Sequence, residues 1–263
     1  MSQTHPFLAQ DFHIRWSQLT LDTLEADITL ALKNATGAVD ALAALPHGQL
    51  TFDNTVLGLE AATRELNHAW GRVEHLNVVN NTPAFREIYN RLLPQVSAFT
   101  TGVTLNPALW AVLKAYAATP AAAALTGAAR RLLDETLADF TENGADLPPD
   151  AKKRLETLNA DLASLTQKYA ENVLDATNAW EKIVTDPALL EGLPESALAA
   201  AAESARAKTG DGTDAARPAW RFTLHAPSIT PVLLYAKNDA FRRECWEASA
   251  HIGAVAPWDN TAL

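Results

Sequence analysis

The chain has 263 residues, 48% hydrophobic and 20% charged with 11 glycines, a composition that supports a folded core rich in the helix formers Ala and Leu. At about 150 residues per domain it has room for one large domain or two small ones. Its formal net charge of −10 excludes the clustered Lys and Arg that a nucleic-acid or anionic-membrane surface needs, so neither partner is expected.

The opening MSQTHPFLAQDF lacks the basic-then-apolar order of a signal peptide, and no run of about 18 apolar residues follows anywhere. A cytoplasmic location is expected. The first predicted helix spans 18–45, with Leu21, Leu24, Ile28, Leu32, Val39, Leu42 and Leu45 along one side. Pro46, His47 and Gly48 stop it. Asn54 or Thr55 starts a second helix over 54–79, long enough to pack on the first as an antiparallel pair. Pro83, suited to a first helical turn, opens a third over 83–101, where Pro94 is expected to introduce a kink. Asn106 caps a short helix over 107–118, and an Ala-rich one follows over 121–143.

Gly144, followed by Pro148 and Pro149, has the signature of a tight helix-to-helix connection. It leads into a long helix over 149–182, whose apolar positions Leu155, Leu158, Leu162, Leu165, Tyr169, Val173, Ala176 and Trp180 are spaced three or four apart. That periodicity predicts one buried stripe on a spine about 40 Å long. With 121–143 it forms an extended helical hairpin. Another helix over 194–208 ends in the polar loop TGDGTDAARP. WRFTL and ITPVLLYA predict a short β-hairpin or extended pair near 220–236, although Pro227 and Pro231 argue against a regular sheet. A last helix covers 239–250. In the closing PWDNTAL, Asp259 or Asn260 looks like an N-cap with only three residues after it, which suggests an amino-terminal piece of something longer. The predicted class is all-α: antiparallel helices, a long helical hairpin and a small β pair.

Catalytic motifs are scarce. None of the seven histidines is followed by Glu, so H-E-x-x-H is absent. Arg72-Val73-Glu74-His75 approaches the inverted motif, but Gly71 stands where a His is needed. His68 and His75 lie two turns apart on one helix, about 10 Å, too far to ligate one metal together. No Gly-rich phosphate loop or G-x-S-x-G elbow occurs. The single cysteine, Cys245, has no partner for an internal disulfide and lies beside Trp246, where a buried structural thiol is expected. Trp220, Trp246 and Trp258 cluster late in the chain, and core packing is expected of them rather than a ligand groove. No catalytic, cofactor-binding or metal-ligating residue is therefore assigned.

Four ordered segments carry a resemblance: EHLNVVNNTPAFREIYNRLLPQVSAF, QKYAENVLDATNAWEKIVTDPALLEGLPESALAAAAESARAK, WRFTLHAPSITPVLLYAKNDAFRRECWEAS and PWDNTAL. Together they resemble the amino-terminal region of the thimet oligopeptidase and neurolysin family of zinc metallopeptidases, from about Phe7 to Leu263. The resemblance implies a helical wall of a deep channel that admits short peptides to a zinc site. It also implies that the zinc motif belongs to a carboxy-terminal catalytic domain that is the partner of this region, that zinc is a cofactor of the full-length member and is not bound here, and that this chain is inactive alone. Two departures stand out: TGDGTDAARP is longer than expected of the family, and Ile252 stands where an arginine is usual. The alternative is a stand-alone helical scaffold or interaction protein derived from the family, marked by an exposed apolar patch.

Overall fold

Thr51 shows how locally this fold is written. Its hydroxyl accepts the backbone N–H of Asn54 at 3.1 Å, and the Asn54 side chain accepts the backbone N–H of Thr51 at 2.8 Å. This reciprocal capping box starts the second helix at Phe52, two residues before the expected point. Thr82 caps through Phe85 N–H at 3.2 Å. Asn106 accepts from Ala108 and Leu109 at 3.0 and 3.1 Å.

The computed structural model describes residues 5–209 and 218–263; positions 210–217 of the predicted polar loop lie outside them. The chain forms two compact units, Met1–Ser164 and Leu165–Leu263. The first contains α1 (Leu21–Ala43), α2 (Phe52–Val79), α3 (Pro83–Leu105), α4 (Pro107–Ala117), α5 (Pro120–Ala123), α6 (Gly127–Glu142) and the start of α7 (Pro149–Ala179). α1 packs most extensively on α2, as expected of the pair, and also touches α3 and α4. Leu24 and Ile28 of α1, Val73 of α2 and Leu92 of α3 close over Phe7, each almost fully buried. Burying side chains of this size contributes about 1.5–3 kcal/mol each. Ala31 and Ala35 present small side chains to Leu66.

In this unit two helix assignments change. α3 continues through Pro94 as far as Leu105, with Leu92 and Val96 buried on either side of the proline, so packing holds the turn that the missing N–H weakens. The helix expected over 121–143 is two. Thr126 is extended (φ −134°, ψ 165°) and Gly127 has φ +58°, neither compatible with a continuous helix, so α6 starts afresh there. At its far end Ala145 N–H bonds Phe140 O and Gly144 N–H bonds Thr141 O, a Schellman cap. Gly144 has φ +93°, and a Cβ there would lie 2.8 Å from both Leu147 and Leu155. α7 then starts at Pro149, and its first turns bond to α3: Lys152 Nζ to Leu105 O at 3.2 Å and Asn159 to Thr101 at 3.3 Å.

The long stripe on α7 is not the buried spine its periodicity predicts. Leu158, Leu165 and Tyr169 are 51%, 42% and 55% exposed, and only Asn172 and Ala176 of this helix are buried. Periodicity reports an apolar face without saying what covers it.

In the second unit the helix expected to reach 182 stops at Ala179, because Glu181–Val184 forms strand β1. Its partner β2 (Trp220–Thr223) is antiparallel, with Glu181 opposite Thr223 and Val184 opposite Trp220. The small β pair therefore exists with one strand where expected, but the second strand precedes it by some forty residues. ITPVLLYA belongs instead to helix α9 (Ala226–Tyr235). Pro227 suits its first turn, and Ile229 and Val232, three apart, turn inward. α8 (Glu195–Thr209) packs against β2, and α10 (Asp239–Ala250) against α9. Val184, Phe222, Val232, Phe241 and Cys245 form the core, with the Phe222 and Phe241 rings edge-on at 5.3 Å.

Candidate functional site

The feature that most resembles a site in the first unit is built by a clasp on the amino-terminal segment. Phe7 is fully buried, and the Asp27 carboxylate, also fully buried, accepts its backbone N–H at 3.0 Å and His5 Nδ1–H at 2.7 Å. From α2, Arg72 Nη1 donates to the Phe7 carbonyl at 2.5 Å. One backbone unit is thus held through its donor by a carboxylate and through its acceptor by a guanidinium. The clasp leads residues 10–16 past the carboxy-terminal half of α2, and together they line an open cavity of about 670 Å³. Phe12, Ile14 and Trp16 line it from the segment, and Asn67, His68, Gly71, Arg72 and His75 from α2.

This places the two histidines singled out in the sequence. His68 and His75 share the cavity wall, and the Trp16 ring lies on His75 with centroids 4.7 Å apart. Among the described residues no group of three or more His, Cys, Asp or Glu is arranged to hold a metal ion. Gly71, where the inverted motif would need its first His, has open space where a Cβ would stand. His225 meets Asn178 at 3.0 Å and His251 the Glu247 carbonyl at 2.7 Å. Asp27 and Arg72 were not among the expected site residues. Their signal is a charge set inside an apolar helical stripe, between Leu24 and Ile28 and between Ala69 and Val73.

The second unit has a smaller hollow of about 270 Å³ between Ala201, Ser204, Arg221, His225 and Ser228. Its polar groups serve the fold: Arg221 bonds Ser204 at 3.0 Å and Glu181 at 2.9 Å, and Ser228 accepts Thr223 N–H at 3.0 Å. Hydrogen bonds from Lys208 and then Arg221 hold the Glu181 carboxyl below the usual carboxylate range. Cys245 is fully buried, as expected, and desolvation pushes its thiol up to about 11. Of the late tryptophans, Trp220 packs against the core whereas Trp246 is 60% exposed, so core packing does not account for all three. Trp258 is half-buried. Ile252 packs against the same core, which gives an aliphatic side chain a reason to stand there.

No single helix among the described residues is long and apolar enough to cross a membrane. Residues 21–154, just over half of the chain, match the family model "Neurolysin/Thimet oligopeptidase, N-terminal domain". Oligopeptidase A of Haemophilus influenzae is 32% identical over 268 residues, spanning 100% of this chain and 38% of that protein. Oligopeptidase A of Escherichia coli is 33% identical over 265 residues, spanning 99% of this chain and 38% of its own length. The probable cytosolic oligopeptidase A of Arabidopsis thaliana is 33% identical over 205 residues, 78% of this chain and 29% of that protein. The chain therefore spans about two fifths of these bacterial relatives, corresponding to their amino-terminal part. On this evidence the chain belongs to the neurolysin/thimet oligopeptidase family.

Proposed function

We propose that this chain is the amino-terminal, channel-forming region of a cytoplasmic zinc metallo-oligopeptidase that hydrolyses short peptides, and that it is catalytically silent alone. The observation that carries this reading is the coverage: similarity runs along the whole chain but over only 38% of the bacterial relatives. The described residues do not fit zinc, since they form no cluster of three or more ligating side chains. This reading assigns zinc and the chemistry at the scissile bond to a catalytic domain beyond these residues. The exposed Leu158, Leu165 and Tyr169 are an apolar face of the kind a second domain covers.

Two measurements test the reading. A peptidase assay on the chain with added zinc is expected to show no chelator-sensitive cleavage, and robust cleavage would overturn it. Sequencing the gene past the codon for Leu263 is expected to find an in-frame continuation to H-E-x-x-H. A stop codon there would decide instead for a stand-alone helical scaffold.

A further inference from the structure

We propose that the cavity beside residues 10–16 is a binding site for small carboxylates bearing an aromatic or branched apolar group, with Arg72 as the anion anchor. Arg72 is 8% exposed and among the described residues makes one hydrogen bond, to the neutral carbonyl of Phe7. Among the described residues no carboxylate forms an ion pair with it. Asp27, the buried acid of the same clasp, is occupied by Phe7 N–H and His5. The charge of the guanidinium is thus not matched by a contacting anion within the described residues, and a carboxylate ligand would supply that partner.

The free donors are accessible. No buried side-chain nitrogen or oxygen among the described residues lacks a hydrogen-bond partner, so the guanidinium nitrogens that do not bond Phe7 are open to solvent. Arg72 lines both the 670 Å³ cavity and an adjoining one of about 70 Å³. Its planar fork matches a carboxylate in two parallel hydrogen bonds. The larger space is in the range of small-molecule pockets, roughly 300–1,000 Å³, and exceeds what a bare inorganic anion fills. Ile14 and Trp16, 38% and 41% exposed, supply apolar wall, and Phe12, 94% exposed, stands at the rim. Gln10 and Asn67 add amide donors. The one acid lining the cavity, Asp11, is turned to Arg15 at 3.5 Å.

The test is calorimetric titration of the chain with N-acetyl-L-phenylalanine and with its uncharged amide. The expected result is saturable binding of the acid at least about tenfold tighter than the amide, with Arg72→Gln and Trp16→Ala each weakening the acid about tenfold. Because Arg72 also holds Phe7, Arg72→Gln is read only if its circular dichroism matches the parent. Trp16, outside the core, keeps the test decisive otherwise. Equal binding of acid and amide, no binding of the acid up to about 10 mM, or unchanged affinity in Trp16→Ala would overturn the proposal. A tetrapeptide ending in Phe, with a free or an amidated carboxy terminus, distinguishes the sources. Binding of the free form alone assigns the carboxylate to a peptide end; binding of N-acetyl-L-phenylalanine without either peptide assigns it to a free small molecule. Both support the shared chemistry.

Discussion

The carboxylate of Asp27 accepts the backbone N–H of Phe7 at 3.0 Å, twenty residues away and with both residues fully buried. Removing it leaves a buried N–H without its acceptor and breaks a part-buried histidine contact, and an unsatisfied buried donor is expensive. Asp27→Ala is therefore expected to lower unfolding stability by about 2–4 kcal/mol. Asp27→Asn keeps an oxygen for Phe7 N–H and should cost about half as much. Urea titrations with an unchanged slope would measure both, and a loss below about 0.5 kcal/mol for the alanine variant would refute the clasp.

Trp110 and Lys114 of α4 both donate to Asp146, at 2.7 and 3.2 Å, which ties that helix to the turn after α6. The indole hydrogen bond first, and Lys114 second, hold the Asp146 carboxyl below the usual carboxylate range. A carboxyl whose folded value lies below its unfolded value near 3.9 stabilises fully above that unfolded value. The contribution is lost as pH falls through the lower, folded one. Stability is expected to drop less steeply below about pH 4 in Asp146→Asn than in the parent. Parallel acid limbs in pH-dependent thermal unfolding would show that the carboxyl does not contribute this way.

Local signals were the most legible. Asn106, Gly144 and Pro83 stand at helix ends because capping and fixed φ act within one turn, and the helix ends they mark fall within a residue of where they were expected, although the far ends of α3 and α6 do not. Residues whose fate depends on distant chain were not readable. Glu181–Val184 is a strand only because Trp220–Thr223 pairs with it, and nothing near Ile183 announces that partner. The cavity was half legible: His68 and His75 stood out by spacing. Arg72 was noticed only as part of a failed zinc motif, because a charge within an apolar stripe does not say which backbone it will meet.

Gly192 has φ +95°, and a Cβ added there would lie 2.3 Å from the Tyr235 carbonyl oxygen. Both the backbone conformation and the space exclude a side chain. Gly192→Ala is expected to cost at least about 2 kcal/mol, through left-handed strain and displacement of the end of α9. Thermal unfolding measures it, and a neutral or stabilising effect would contradict this geometry.

Cys245 is fully buried, and desolvation, with a smaller effect from Glu244, raises its thiol to about 11. Thiolate is the reactive form, so at neutral pH a thiol reagent should label the native chain far more slowly than the chain in denaturant. Native labelling as fast as that of free cysteine would mean the second unit opens at little cost.

The apolar face of α7 gives the sharpest contrast between pattern and burial. Leu24, Leu66 and Leu158 all sit at helical core spacing, yet the first two are at most 1% exposed and Leu158 is 51% exposed. Replacing Leu24 by Ala opens a cavity and is expected to cost about 2–5 kcal/mol. Leu158→Ser, or Leu165→Ser with Tyr169→Ser, removes little buried area and should change the stability of the isolated chain by no more than about 0.5 kcal/mol. If these changes destabilise by more than about 1 kcal/mol, something already covers the face. A repeat at two protein concentrations then identifies it, because coverage by a second copy makes the loss concentration-dependent whereas coverage within one chain does not. A null effect on stability, combined with less binding of an apolar dye, would mark the face as open surface in the isolated chain, available to a second domain.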